Sequence, residues 1–131
     1  MKAFNYDDHA VGDILHSKLA ITKELYEAYA DTLGLPFNPN EKVPPSIFQV
    51  YRPAYEALGG RIAQGTIHLK QKVEHFGDAF LGDEFNVEVK IVDKYNRKNR
   101  DYLIYEASFL KDGELVSRVT TTHLWAFSGR G

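Results

Sequence analysis

The sequence predicts an α+β domain in which one apolar helix is followed by a curved antiparallel sheet of about five strands. Three observations predict it. Val43–Gly60 (VPPSIFQVYRPAYEALGG) sets Ile47, Val50, Tyr51, Ala54 and Leu58 on one helical face. Almost everything after Gly60 alternates apolar and polar residues at the strand period. Turn signals at Gly82–Asp83 and Asp112–Gly113 divide that half into separate strands. Phe48 and Tyr55 widen the apolar stripe of the helix beyond what a surface helix needs, so the sheet is expected to wrap it.

Taken in order, residues 1–12 are polar and without period, and Asp13–Ile21 reads as a short first strand. Thr22 is an N-cap for an amphipathic helix whose apolar face is Leu25, Tyr26, Tyr29 and Leu33 and whose stop is Gly34. Leu35–Lys42 (LPFNPNEK) is a loop by its prolines and asparagines. Pro44 and Pro45 suit the first turn of the central helix, and Gly59–Gly60 end it. Pro53 removes a backbone donor inside that helix, which predicts a kink near Gln49–Pro53 or two abutting helices. Thr66–Phe76 is expected to be a strand with Ile67, Leu69, Gln71, Val73 and His75 on one face. Phe85, Val87, Val89 and Ile91 mark a half-buried strand, and Lys94–Asp101 reads as a charged hairpin loop. Leu103, Tyr105, Ala107 and Phe109 share one face of the next strand, and Glu114–Phe127 closes the sheet. A sheet wrapped around one long helix is the hot-dog architecture; the rival is a cystatin- or nuclear-transport-factor-like sheet with helices on one open face.

The 131 residues are expected to form a single domain, 1–131, with 44% hydrophobic and 13% aromatic residues arguing for a packed core. A formal net charge of −2 gives no global field for nucleic acid or anionic membrane, and no apolar run approaches a membrane span. The chain has no cysteine, which excludes disulfides, thiolate nucleophiles and cysteine zinc sites. With no apolar leader segment in MKAFNYDDHAVG, the expected location is the cytoplasm.

The order of an NP-containing loop, the VPPSIF helix, GTIHLKQKVEHF, FLGDEF and a DGE hairpin resembles the MaoC-like hot-dog dehydratases, over about Asp13 to Phe127. It looks closest to their N-terminal dehydratase-domain subfamily of the fungal fatty-acid-synthase type. The resemblance implies a hot-dog fold, reversible hydration of enoyl thioesters of coenzyme A or acyl carrier protein, no cofactor beyond that substrate, and pairing of two hot-dogs. It also implies a catalytic D-x-N-P-x-H signature on the loop before the central helix. The matching residues here are Pro36-Phe37-Asn38-Pro39-Asn40-Glu41, which keep the Asn–Pro pair but carry proline and glutamate where aspartate and histidine belong. Proline cannot move a proton. The resemblance therefore implies the degenerate or accessory half of such an assembly, beside a catalytic hot-dog partner.

The alternatives are a hot-dog acyl-CoA thioesterase, with Glu41 or Asp31 activating water, and a non-catalytic acyl-ligand-binding module. Candidate acid–base residues are Glu41, Asp31 and His68. Candidate substrate contacts are Asn38, Asn40, Ser46, Ile47, Gly65 and Thr66, with Arg97 and Lys98 reaching phosphates. Each has a plainer reading: a turn for Asn38–Glu41, a satisfied structural histidine for His68, and a solvated hairpin tip for the basic run. His9, His16, His75 and His123 show no metal-ligand spacing, so no metal is expected. Exposed sheet edges predict at least a homodimer.

Overall fold

In the computed structural model, which describes residues 2–40 and 42–126, five strands form one antiparallel sheet. The strands are β1 (Ile14–Ala20), β2 (Ile67–His75), β3 (Glu84–Arg97), β4 (Arg100–Lys111) and β5 (Glu114–Leu124). Their order across the sheet is β1-β3-β4-β5-β2, so β3, β4 and β5 form a meander while β1 and β2 are the edges. Two helices precede β2, α1 (Lys23–Leu33) and α2 (Arg52–Leu58).

The alternation in the sequence becomes the inner face. Phe85, Val87, Val89 and Ile91 of β3 and Leu103, Tyr105, Ala107 and Phe109 of β4 are all buried. They stand opposite one another in register, Val87 with Phe109, Val89 with Ala107 and Ile91 with Tyr105. β5 continues that face through Ser117, Val119, Thr121 and His123. The β3–β4 turn is tighter than the charged run suggested. Both strands extend to Lys98–Asn99, two residues with φ of 54° and 61°, the left-handed pair that a two-residue hairpin needs.

The central helix is split. Pro45–Gln49 forms a 3-10 turn, Val50 is extended with ψ of 137°, and α2 starts only at Arg52. Pro53 thus falls in the first turn of α2, where its missing N–H costs nothing. Of the two outcomes expected from Pro53, abutting helical pieces is the one observed. α2 buries Pro53, Ala54 and Leu58 and packs against β1 and β3, with Ser17 Oγ donating to the Pro53 carbonyl at 2.6 Å. Phe48, from the 3-10 turn, is wedged against Phe85 and Phe109 at ring separations of 5.1 and 4.9 Å. This is the hot-dog arrangement.

α1 is capped as its sequence requires, with Leu25 N–H donating to Thr22 Oγ1 at 3.1 Å and Gly34 left-handed at φ 67°. Tyr26 and Ala30 are its buried residues, whereas Leu33, placed on the apolar face by its spacing, is exposed. The N-terminal segment lies beside the end of α2. Phe4 N–H donates to Arg61 O and Arg61 N–H to Lys2 O, both at 3.1 Å. Gly60 sits under that crossing, where a Cβ would stand 2.4 Å from Lys2 O.

Candidate functional site

β2 carries the inner face of the sheet past the edge of the core. His68, Gln71, Val73 and His75 align with His123, Thr121, Val119 and Ser117 of β5. The β5 residues are buried, but none of the four on β2 is. A bulge between His68 and Lys70 resets the alternation, so Ile67 and Leu69 do not share a face with Gln71, Val73 and His75. The strict period expected for Thr66–Phe76 misses that one extra residue.

The predicted site residues gather at the two ends of this face. At the His75 end lie α1 and the loop that follows it. Tyr29 Oη and Ser46 Oγ are hydrogen-bonded, and burial pushes the Tyr29 hydroxyl up. Asn38 Oδ1 accepts Asn40 N–H at 3.1 Å, an Asx turn in which the side chain serves its own backbone. Ile47 is fully buried and its N–H is taken by Pro44 O at 3.0 Å. Asp31 is exposed on the last turn of α1, and Glu41 lies outside the described residues. His75 itself is held by Ser117, its Nδ1 3.0 Å from the buried Ser117 Oγ, with the Phe48 ring 6.2 Å away.

At the other end lie Gly65, Thr66 and His68. Thr66 Oγ1 accepts Ala126 N–H at 2.9 Å, and Gly65 is left-handed at φ 85°. The His68 imidazole stands 5.4 Å from that of His123, directly opposite on β5. His123 is 4% exposed and neither of its ring nitrogens has a hydrogen-bond partner. Burial first, and then the nearby His68, push His123 down to about 4. Tyr105, 5.6 Å from His123, is pushed up by its own burial. Arg97 and Lys98 lie further along at the hairpin tip, on the His68 side. Lys94, from the same basic run, is committed elsewhere, its ammonium donating to Tyr6 O and His9 O at 2.6 and 2.7 Å.

The two groups are roughly 20 Å apart along β2 at the usual strand rise, so one chain does not bring them together. Between them, under Gln71, Tyr105 and Thr121, the described residues leave a cavity of about 10 Å³, room for about one water rather than an acyl chain. A hollow of about 250 Å³ opens beside Lys18, Leu25, Val50 and Arg52, next to β1 at the opposite edge of the sheet. Two features escaped the sequence reading: the His123–His68 pair and the Ser117–His75 pair. Both depend on β2 docking beside β5, a pairing that no local signal announces.

No protein-family model matches the chain, and a search of curated proteins finds no match either. Solved structures do match. The chain resembles a truncated HadBC complex, a 3R-hydroxyacyl-ACP dehydratase from Mycobacterium tuberculosis, at 15% identity and TM-score 0.71, over 87% of this chain and 96% of that one. It resembles R-hydratase PhaJ1 from Pseudomonas aeruginosa at 18% identity and TM-score 0.67, covering 92% and 84%. The ChsH1–ChsH2 complex from Mycobacterium tuberculosis aligns at 10% identity and TM-score 0.64, covering 86% and 82%. At these identities the likeness is one of fold.

Proposed function

We propose that this chain is the accessory half of a hot-dog acyl-thioester hydratase or dehydratase, binding the acyl thioester without performing the proton transfers alone. The turn at Asn38–Asn40 carries this reading. It lies between Pro36 and Glu41, the positions that match the resembled family's aspartate and histidine, and its Asn38 side chain is spent on its own backbone. From Gly34 to Glu41 the one titratable side chain is Glu41, which matches the family's histidine, while Pro36 stands where its aspartate belongs. Hydration across an α,β double bond needs one group to move a proton at the α carbon and another to activate water at the β carbon.

The open inner face of β2 supports assembly with a second hot-dog. β2 is an edge strand with Ile67 and Leu69 exposed at 41% and 46%, an invitation to strand pairing. If two copies join antiparallel along β2, the His68 end of one meets the His75 end of the other. The two groups of candidate residues then face one another across the seam. Two of the similar structures are complexes by their own description, which fits the same arrangement.

The test is a spectrophotometric assay of the purified chain on trans-2-enoyl-CoA substrates, with free thiol followed in parallel and binding of a saturated acyl-CoA measured by calorimetry. Binding without turnover is the expected result. Loss of enoyl absorbance by the chain alone overturns the accessory assignment in favour of an independent hydratase. Thiol release points to a thioesterase instead, and no acyl-CoA binding removes the acyl-thioester reading altogether.

A further inference from the structure

Among the described residues, His123 is the side chain whose polar atoms are buried with no partner. A buried polar side chain normally has a partner, and an orphan asks for a water, an ion or a chemical role. Here both imidazole nitrogens are enclosed and unpartnered, with a second imidazole standing opposite on the neighbouring strand. We propose that His68 and His123 form a two-histidine site for a divalent transition-metal ion of the zinc, copper or nickel type.

Three observations carry this. The first is register: His68 and His123 are paired residues of β2 and β5 and both lie on the inner face, so their side chains run side by side. The second is spacing. With metal–nitrogen bonds of about 2.0–2.1 Å and a tetrahedral angle, two imidazole centroids on one ion stand about 5.2 Å apart. The observed separation is 5.4 Å. The third is tautomer. His68 Nε2 lies 3.0 Å from the Lys70 carbonyl, which can only accept, so Nε2 carries the proton and Nδ1 keeps a lone pair. A backbone carbonyl holding the distal N–H is the usual way a metal-binding imidazole is oriented.

The chemistry selects the ion. Imidazole nitrogen suits zinc, copper and nickel, whereas calcium and magnesium want oxygen ligands. Among the described residues no cluster of three or more histidine, aspartate or glutamate side chains could hold a metal. The protein therefore supplies two ligands, and His68, exposed at the sheet edge, leaves the remaining positions open to water or to an oxygen of a bound molecule. This site is independent of the acyl-thioester reading.

The experiment is titration of the tag-free, chelator-treated chain with Ni²⁺ and Zn²⁺ by calorimetry, and with Cu²⁺ by electron paramagnetic resonance for nitrogen coupling. One equivalent per chain is expected, with nitrogen coupling on copper. His68→Gln changes an exposed residue and leaves the core intact, and is expected to weaken binding at least tenfold. His123→Gln should do the same, and His16→Gln, at an exposed position on β1, should not. Absence of binding in the wild-type chain overturns the site, as does binding of unchanged strength in His68→Gln.

Discussion

His123 is one residue in which burial and chemistry pull against each other. Its folded-state value of about 4 lies below the 6.5 expected of an unfolded chain, so the unfolded chain takes up the proton first. Stability is therefore complete above pH 6.5 and is lost as the pH falls through 4, by on the order of 3 kcal/mol from this group. Urea unfolding at a series of pH values, with chelator present, should show that slope. His123→Leu should flatten it and leave the chain at least as stable at pH 7, because it removes two orphaned nitrogens. An acid slope unchanged by His123→Leu would assign the effect to another group. Gly60 is a second such position: a Cβ there stands 2.4 Å from Lys2 O and 2.7 Å from Phe4 N. Gly60→Ala should cost on the order of 2 kcal/mol and loosen the N-terminal segment, read as a lower melting temperature. Little of the candidate site at this scale was legible beforehand. His68 stood out beside its glycine, but its partner lies in another strand, and only assembly of the sheet reveals the pair. The asparagines of the NPN run, in contrast, form the turn that their chemistry announced.

Among the elements, the split helix shows how sequence rules combine. Pro53 forbids one continuous helix, and the chain answers by extending Val50 and restarting so that proline occupies a first turn. Pro53→Ala should therefore not heal the break, since Val50 stays extended and Phe48 stays wedged. Phe48→Ala should be far costlier, about 3–5 kcal/mol by chemical denaturation, because Phe85 and Phe109 would then line a void. β3 as far as Ile91 and β4 from Leu103 were readable because both alternate there and bury one face, whereas a register shift after Ile91 ends the alternation and hid the strand in Lys94–Arg97. β2 was readable as a strand but not as a face, since the bulge after His68 flips the alternation and nothing in IHLKQ marks it.

For the whole molecule, a five-stranded sheet with two edges leaves Ile67 and Leu69 exposed on the edge strand β2. Light scattering should give the mass of at least a pair. The double substitution Ile67→Lys with Leu69→Lys should shift the protein to single chains while circular dichroism stays unchanged; a mass unaffected by it would move the contact to another surface. The strand order also has a kinetic consequence. β3, β4 and β5 are joined by two short hairpins and can zip locally, whereas β1 reaches β3 and β2 reaches β5 only after long stretches of intervening chain. Closing those loops costs entropy before the contacts repay it, so the meander forms early and the outer strands arrive last. By the same reasoning the outer strands β1 and β2 are the first to let go in a single chain. In the Ile67→Lys with Leu69→Lys variant their amides should exchange with deuterium sooner than those of β3 and β4, so the edge that carries His68 and His75 is held most firmly when the chain is paired.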